Sequence, residues 1–165
     1  MTGRPGATTA PRRPPGRFAR SKFLAPNPAR TLLPRPSLVA RLREAPPDAI
    51  CVVVGSPGSG KSSLLADLAA GLPPEQTAWI NTDPADLDPV RFWQGFIVGV
   101  RERVPGFGDE AFDLLTLDGR VAPDALESLL VDIERLPQPV TVIVDDLHLA
   151  AGESTEHLRW LIGRG

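Results

Sequence analysis

Gly55-Ser56-Pro57-Gly58-Ser59-Gly60-Lys61-Ser62 satisfies the phosphate-binding pattern G-x-x-x-x-G-K-[ST]. The apolar run from Ala49 to Val54 precedes it, and residues 61 to 70 follow with a helical spacing of leucines. Strand, glycine-rich turn and helix in that order are the context the pattern requires. The stretch therefore predicts an α/β domain in which a turn cradles nucleotide phosphates.

The residue types follow from the chemistry. Phosphate oxygens are satisfied by backbone N–H groups converging in a concave turn, and glycine lets the backbone approach without a Cβ in the way. Gly55, Gly58 and Gly60 supply that freedom, while Pro57 needs no N–H there. The helix after Gly60 points its unpaired N–H groups and positive dipole end at the anion. Lys61 adds a compact cation at the β- and γ-phosphates, and Ser62 offers an oxygen to Mg²⁺. Ser56, Ser59 and Ser63 complete the expected nucleotide-binding set. Among 18 basic residues only Lys22 and Lys61 are lysines. Arginine is thus the default cation, and a lysine stands where a point charge is wanted.

At 165 residues with 42% hydrophobic content, the chain suits one globular domain. Its charge is uneven: every one of the 20 acidic residues lies at or after Glu44, so the first part of the chain is basic and the body acidic. An acidic body argues against broad nucleic-acid binding by the globular part. Residues 1–20, rich in proline and arginine, read as a disordered basic arm; 21–48 form a segment before the phosphate loop, and 49–165 the nucleotide-binding domain. No apolar run makes a signal-peptide core or a membrane span, which predicts a cytoplasmic protein. The single cysteine, Cys51, falls in the expected first strand and reads as a small buried apolar residue.

Alternating strand and helix signals give the rhythm of a parallel sheet. A first strand is expected at Ala49 to Val54 and a second at Thr77 to Asn81. The helix after the loop carries Leu64, Leu65, Leu68 and Leu72 on one face and stops at Gly71, before Pro73-Pro74. Asp88 caps the next helix, with Pro89 in its first turn and Phe92, Trp93, Phe96, Ile97, Val100 and Val104 as a core stripe; it ends at Pro105-Gly106. A further helix runs from Pro123 to Leu136 on Leu126, Leu129, Leu130 and Ile133. His157 falls on the exposed side of a last helix beginning near Ser154.

Val140 to Val144 is a β-branched run that delivers Asp145 and Asp146 to its carboxyl end, where ligands bind in open parallel sheets. Asp145 is the candidate Mg²⁺ ligand and Asp146 the candidate catalytic group that orients the attacking water, alongside Lys61. A local capping role for Asp146 is the alternative. His148 is placed either to sense the γ-phosphate or to bond a neighbouring loop.

Together these residues resemble the ATP-binding domain of the large LuxR-type regulators related to the maltose-regulon activator, within the STAND class of signalling ATPases. Ser21-Lys22-Phe23-Leu24-Ala25-Pro26 is similar to the family's TKL-x-x-P opening. Leu33 to Leu38 is similar to its V-x-R-x-x-L segment, Asp86 to Trp93 to its D-x-D-P-x-R-F helix entry, and Val144 to Leu149 to its L-D-D-Y-H element. The resemblance implies a P-loop NTPase fold of the AAA-like kind: a parallel sheet with flanking helices that binds ATP or ADP with Mg²⁺ and hydrolyses ATP weakly. It implies that Arg35 helps hold the base or gates the site, and that the full-length protein self-associates in its ATP form. In such domains a strand that follows the acidic pair lies between it and the phosphate-loop strand. The sequence stops at Gly165 before one, implying an incomplete sheet and a fragment of a longer regulator. No helix-turn-helix candidate is present. A stand-alone P-loop ATPase or small-molecule kinase, and a truncated remnant that binds nothing, are the alternatives.

Overall fold

The computed structural model describes residues 17–27, 34–46 and 49–164. Residues 1–16 of the expected basic arm, and Leu33 of the segment before the loop, lie outside them. The described chain is α/β, with a two-stranded parallel sheet between helical layers. Strands β1 (Thr77–Asn81) and β2 (Thr141–Asp145) pair in the register Thr77↔Thr141 through Asn81↔Asp145. Because side chains alternate along a strand, Trp79, Asn81, Ile143 and Asp145 share one face, and Ala78, Ile80, Val142 and Val144 the other.

The first face is covered by α2 (Lys61–Ala70), which packs Ala66, with Leu65 and Ala69, on Trp79 and Ile143. Helix α1 (Pro36–Arg43) lies beside α2. The second face carries the main core. Here α3 (Pro89–Arg101), α4 (Asp109–Asp118), α5 (Pro123–Glu134) and α6 (Glu153–Ile162) enclose Phe92, Trp93, Ile97, Leu115 and Leu129, with Val142 and Val144 against them. Burying each such side chain is worth about 1.5–3 kcal/mol, so this cluster is the principal source of stability.

Local chemistry sets the helix boundaries. The Asp88 carboxylate accepts from the N–H groups of Val90 and Arg91, at 3.0 and 3.4 Å, and Pro89 occupies the first helical position of α3. The α3 helix meets β1 at Gly99: a Cβ there would lie 2.7 Å from Ile80 Cγ1 and 3.2 Å from Phe23 Cδ1. Glycine is required for that close approach.

Several expectations are corrected. Residues 49–54 form no strand, and Ile50, Val52 and Val54 are exposed, as is Cys51. A β-branched run becomes a strand only when it gains a ladder partner and a covering layer, and β1 and β2 pair with each other instead. Helix α3 stops at Arg101, with one further bonded turn from Val104 N to Val100 O. Helix α4 occupies a stretch for which no element was expected. Ile133 is exposed, and the buried stripe of α5 is Ala125, Leu126 and Leu129. His157 is not on an exposed side: its Nδ1 accepts from Trp93 Nε1 at 3.3 Å.

Candidate functional site

The phosphate loop enters α2 through Gly60, whose φ of +84° lies in the left-handed region, as does the +76° of Gly58. A Cβ is disfavoured in that region, so glycine there is a backbone requirement. The turn closes through Ser59 N donating to Ser56 O at 3.1 Å. No side chain caps the amino end of α2, leaving its first N–H groups for an anion. Lys61 folds back over the loop, its Nζ donating to Gly55 O at 2.9 Å and Ser56 O at 3.1 Å. That geometry holds the ammonium at the mouth of the turn. Ser62 and Ser63 follow in the first turn of α2, half-buried.

Arg35 caps α1 and is brought to the loop, with its Nη2 3.6 Å from the point where a Gly60 Cβ would stand. A cleft of about 480 Å³ opens beside it, lined by Pro34, Pro36, Val39, Arg43 and, from α2, Asp67. Its lining mixes apolar side chains with two arginines, Arg35 and Arg43, and two carboxylates, Glu44 and Asp67. Gly55, Ser56, Pro57 and Gly58 are exposed around the turn.

The acidic pair ends β2. Asp145 is buried at 5% exposure, on the sheet face that α2 covers. Its backbone carbonyl accepts from Thr82 N at 3.1 Å and Thr82 Oγ1 at 2.8 Å, and its Oδ1 accepts from Asp146 N at 3.0 Å. Asp146 is the one non-glycine residue at positive φ among the described residues, at +55°. Its side chain makes no capping bond to the following turn, Leu147–Ala150, which tells against the local cap. Instead it is half-exposed, with Oδ1 3.8 Å from Nδ1 of the exposed His148. A left-handed aspartate costs about 1 kcal/mol of backbone strain, the kind of cost that collects at working sites.

As Mg²⁺ ligands, Ser62 and Asp145 suit the donor chemistry of that ion, which takes one or two protein oxygens and fills its remaining positions with phosphate and water. Among the described residues no group of three His, Cys, Asp or Glu is gathered for a protein-only metal cage.

One cluster was missed by sequence reasoning. Lys22, in the 3-10 turn Arg20–Phe23, is buried and donates to Asp86 and, at 2.8 Å, to Asp83. Asp86 is fully buried, caps the turn Pro84–Leu87 reciprocally with Asp83, and has Arg91 Nε 3.7 Å from its other oxygen. Lys22 and Arg91 both lie over the Phe18 ring, at 5.9 and 4.9 Å. The Lys22 ammonium holds the Asp83 carboxyl below the ordinary carboxylate range. The scarcity of lysine was the available signal, since it marks Lys22 as much as Lys61.

No helix among the described residues is long and apolar enough to cross a membrane. No curated protein matches the chain. Residues 36–165 match the family model described as an AAA ATPase domain, a span running from α1 through the phosphate loop and the acidic pair. With a glycine-built phosphate loop feeding one helix and an acidic strand end on the face that helix covers, the chain is a P-loop ATPase domain and belongs to the AAA ATPase domain family.

Proposed function

We propose that the chain is the ATP- and ADP-binding module of a STAND-type signalling ATPase, a part of a LuxR-family transcriptional regulator working in the cytoplasm. The observation that carries the nucleotide reading is the left-handed Gly60 opening the uncapped amino end of α2, with Lys61 poised at the turn. The narrower regulator reading rests on the resemblance of the segments 21–26, 33–38, 86–93 and 144–149. In that reading ADP favours a resting form, and ATP permits self-association.

Loop N–H groups from Gly55 to Ser63 take the phosphates, and Lys61 leaves the carbonyls of Gly55 and Ser56 for the β- and γ-oxygens. Arg35 takes the base side of the nucleotide along the α1–α2 cleft. Ser62 and Asp145 hold Mg²⁺, which when bound neutralises charge developing on the phosphates. Asp146 orients the attacking water and accepts its proton in a weak ATP hydrolysis.

Thermal melts with Mg-ATP, with ADP and with neither test the reading, each repeated on Lys61→Ala. A ligand at a hundred times its Kd adds about 2.7 kcal/mol to the folded state. The expected result is a nucleotide-dependent rise in the wild type that Lys61→Ala abolishes. A second reading is favoured by the exposure of Ile50, Val52 and Val54: the entry to the loop is held too loosely to bind phosphate. It is supported if neither protein responds.

A further inference from the structure

We infer that Asn81 is a positioning residue for Asp145, and that the turn Arg20–Phe23, pinned by Lys22, is the brace through which it acts. The inference rests on the nucleotide reading above and adds to that site Asn81, which none of the motifs contains.

Asn81 is the β1 residue in register with Asp145, on the face that α2 covers. Its side chain is committed at both ends. Nδ2 faces three backbone carbonyls, Leu24 at 2.9 Å, Ser21 at 3.1 Å and Lys22 at 3.3 Å, and Oδ1 accepts from Trp79 Nε1 at 2.8 Å. An amide has two N–H groups and two acceptor sites, so this one is close to fully occupied and is no free ligand for a cation. What it does is tie residues 21–24 to the carboxyl end of β1. The next residue, Thr82, then gives both its N–H and its hydroxyl to the Asp145 carbonyl. Asp145 is thus held through its backbone by β1, and β1 is held in turn by the brace.

Lys22 keeps the brace in place. A buried ion pair often adds little stability compared with apolar residues of the same volume, so its use here is better explained by fixing one arrangement of the segment. Lys22 reaches Asp83 and Asp86, which begin two residues beyond Asn81, so the brace is fastened on both sides of the strand end. Groups hydrogen-bonded directly to a metal ligand change metal affinity by about 10- to 100-fold when removed, and Asn81, which reaches Asp145 only through the strand and Thr82, belongs at the low end of that range.

The experiment is a Mg²⁺ titration of ATP binding, read by fluorescence anisotropy of a labelled ATP, on wild type and Asn81→Ala, with the same affinity measured in EDTA. The expected result is an apparent Mg²⁺ requirement raised roughly 10-fold in Asn81→Ala, with the EDTA affinity within about twofold of wild type. Should Asn81→Ala not fold, Asn81→Ser is expected to show the same signature in weaker form. An unchanged Mg²⁺ requirement overturns the inference. So does an equal loss of affinity with and without Mg²⁺, because that is what a merely structural asparagine would give. A wild type that binds no ATP under either condition overturns the nucleotide reading itself, and this inference with it.

Discussion

The Lys22–Asp86 pair allows a quantitative test of how the amino-terminal segment is held. Lys22→Met removes the ammonium and leaves a fully buried carboxylate. Breaking a buried pair from one side costs about 3–5 kcal/mol, because the remaining charge is uncompensated. Arg91 Nε stands 3.7 Å from Asp86 Oδ1 and offsets part of that charge, which places the loss near the lower end, about 3 kcal/mol. For a domain of this size that lowers the melting temperature by about 6–12 °C. The double variant Lys22→Met with Asp86→Leu removes both charges and should recover most of the loss. A residual cost of about 1 kcal/mol is expected, because Asp86 also accepts from Asp83 N at 2.8 Å in the capping box. Urea unfolding of the wild type, both single variants and the double variant measures the cycle. A Lys22→Met loss under about 1 kcal/mol, or a double variant as unstable as the sum of the singles, would refute the uncompensated-charge account.

Three further outcomes follow from the geometry. Gly99→Ala places a Cβ 2.7 Å from Ile80 Cγ1, and overpacking of α3 on β1 should cost about 1–3 kcal/mol in urea melts; an unchanged midpoint would mean the contact yields freely. Asp83 has its folded pKa depressed chiefly by the Lys22 hydrogen bond, so its contribution is present above about pH 4 and is lost as pH falls through the folded value. The gap between wild type and Asp83→Asn midpoints should therefore hold at neutral pH and close below about pH 4, and a gap that persists at lower pH would count against the assignment. Asp146→Asn keeps a side chain that tolerates the left-handed backbone, so stability should stay within about 0.5 kcal/mol while ATP hydrolysis falls and ATP binding persists. Equal hydrolysis by the two proteins would remove Asp146 from the chemistry.

Elements whose determinants are local were legible in the chain. Helix α2 is bounded by Gly60 and Gly71, and α3 opens on Asp88-Pro89, where cap and proline act within one turn. Both strands of the observed sheet are short β-branched or aromatic runs, and both were located to within a residue. Helix α4 was hidden for a local reason as well. It buries only Ala111 and Leu115, one turn apart. A stripe that narrow gives little periodicity to find.

The misread features share a different cause, which is that their determinants lie elsewhere in the chain. Residues 49–54 have the composition of a buried strand, yet β character describes how a side chain fits a paired and covered surface, and neither condition is met around Val52 and Val54. His157 sits on a helix whose own pattern marks it as outward, but the Trp93 N–H, buried in the opposite element, needs an acceptor and takes its Nδ1. Lys22 and Asp86 are 64 positions apart and become partners only when β1 and the turn Pro84–Leu87 bring them together. In each case a polar or apolar requirement is met by a group that local reading cannot pair with it. The phosphate loop escapes this difficulty because its requirements, left-handed glycine, uncapped helix start and lysine, are all satisfied within eight consecutive residues, Gly55 to Ser62. The acidic pair is intermediate: its place at a strand end is local, whereas the hydrogen bonds that orient Asp145 come from Thr82, on the neighbouring strand's exit. The phosphate-loop half of the candidate site was therefore readable from composition and order. The half that aims a carboxylate depends on a brace more than a hundred residues earlier in the chain, at Arg20–Phe23.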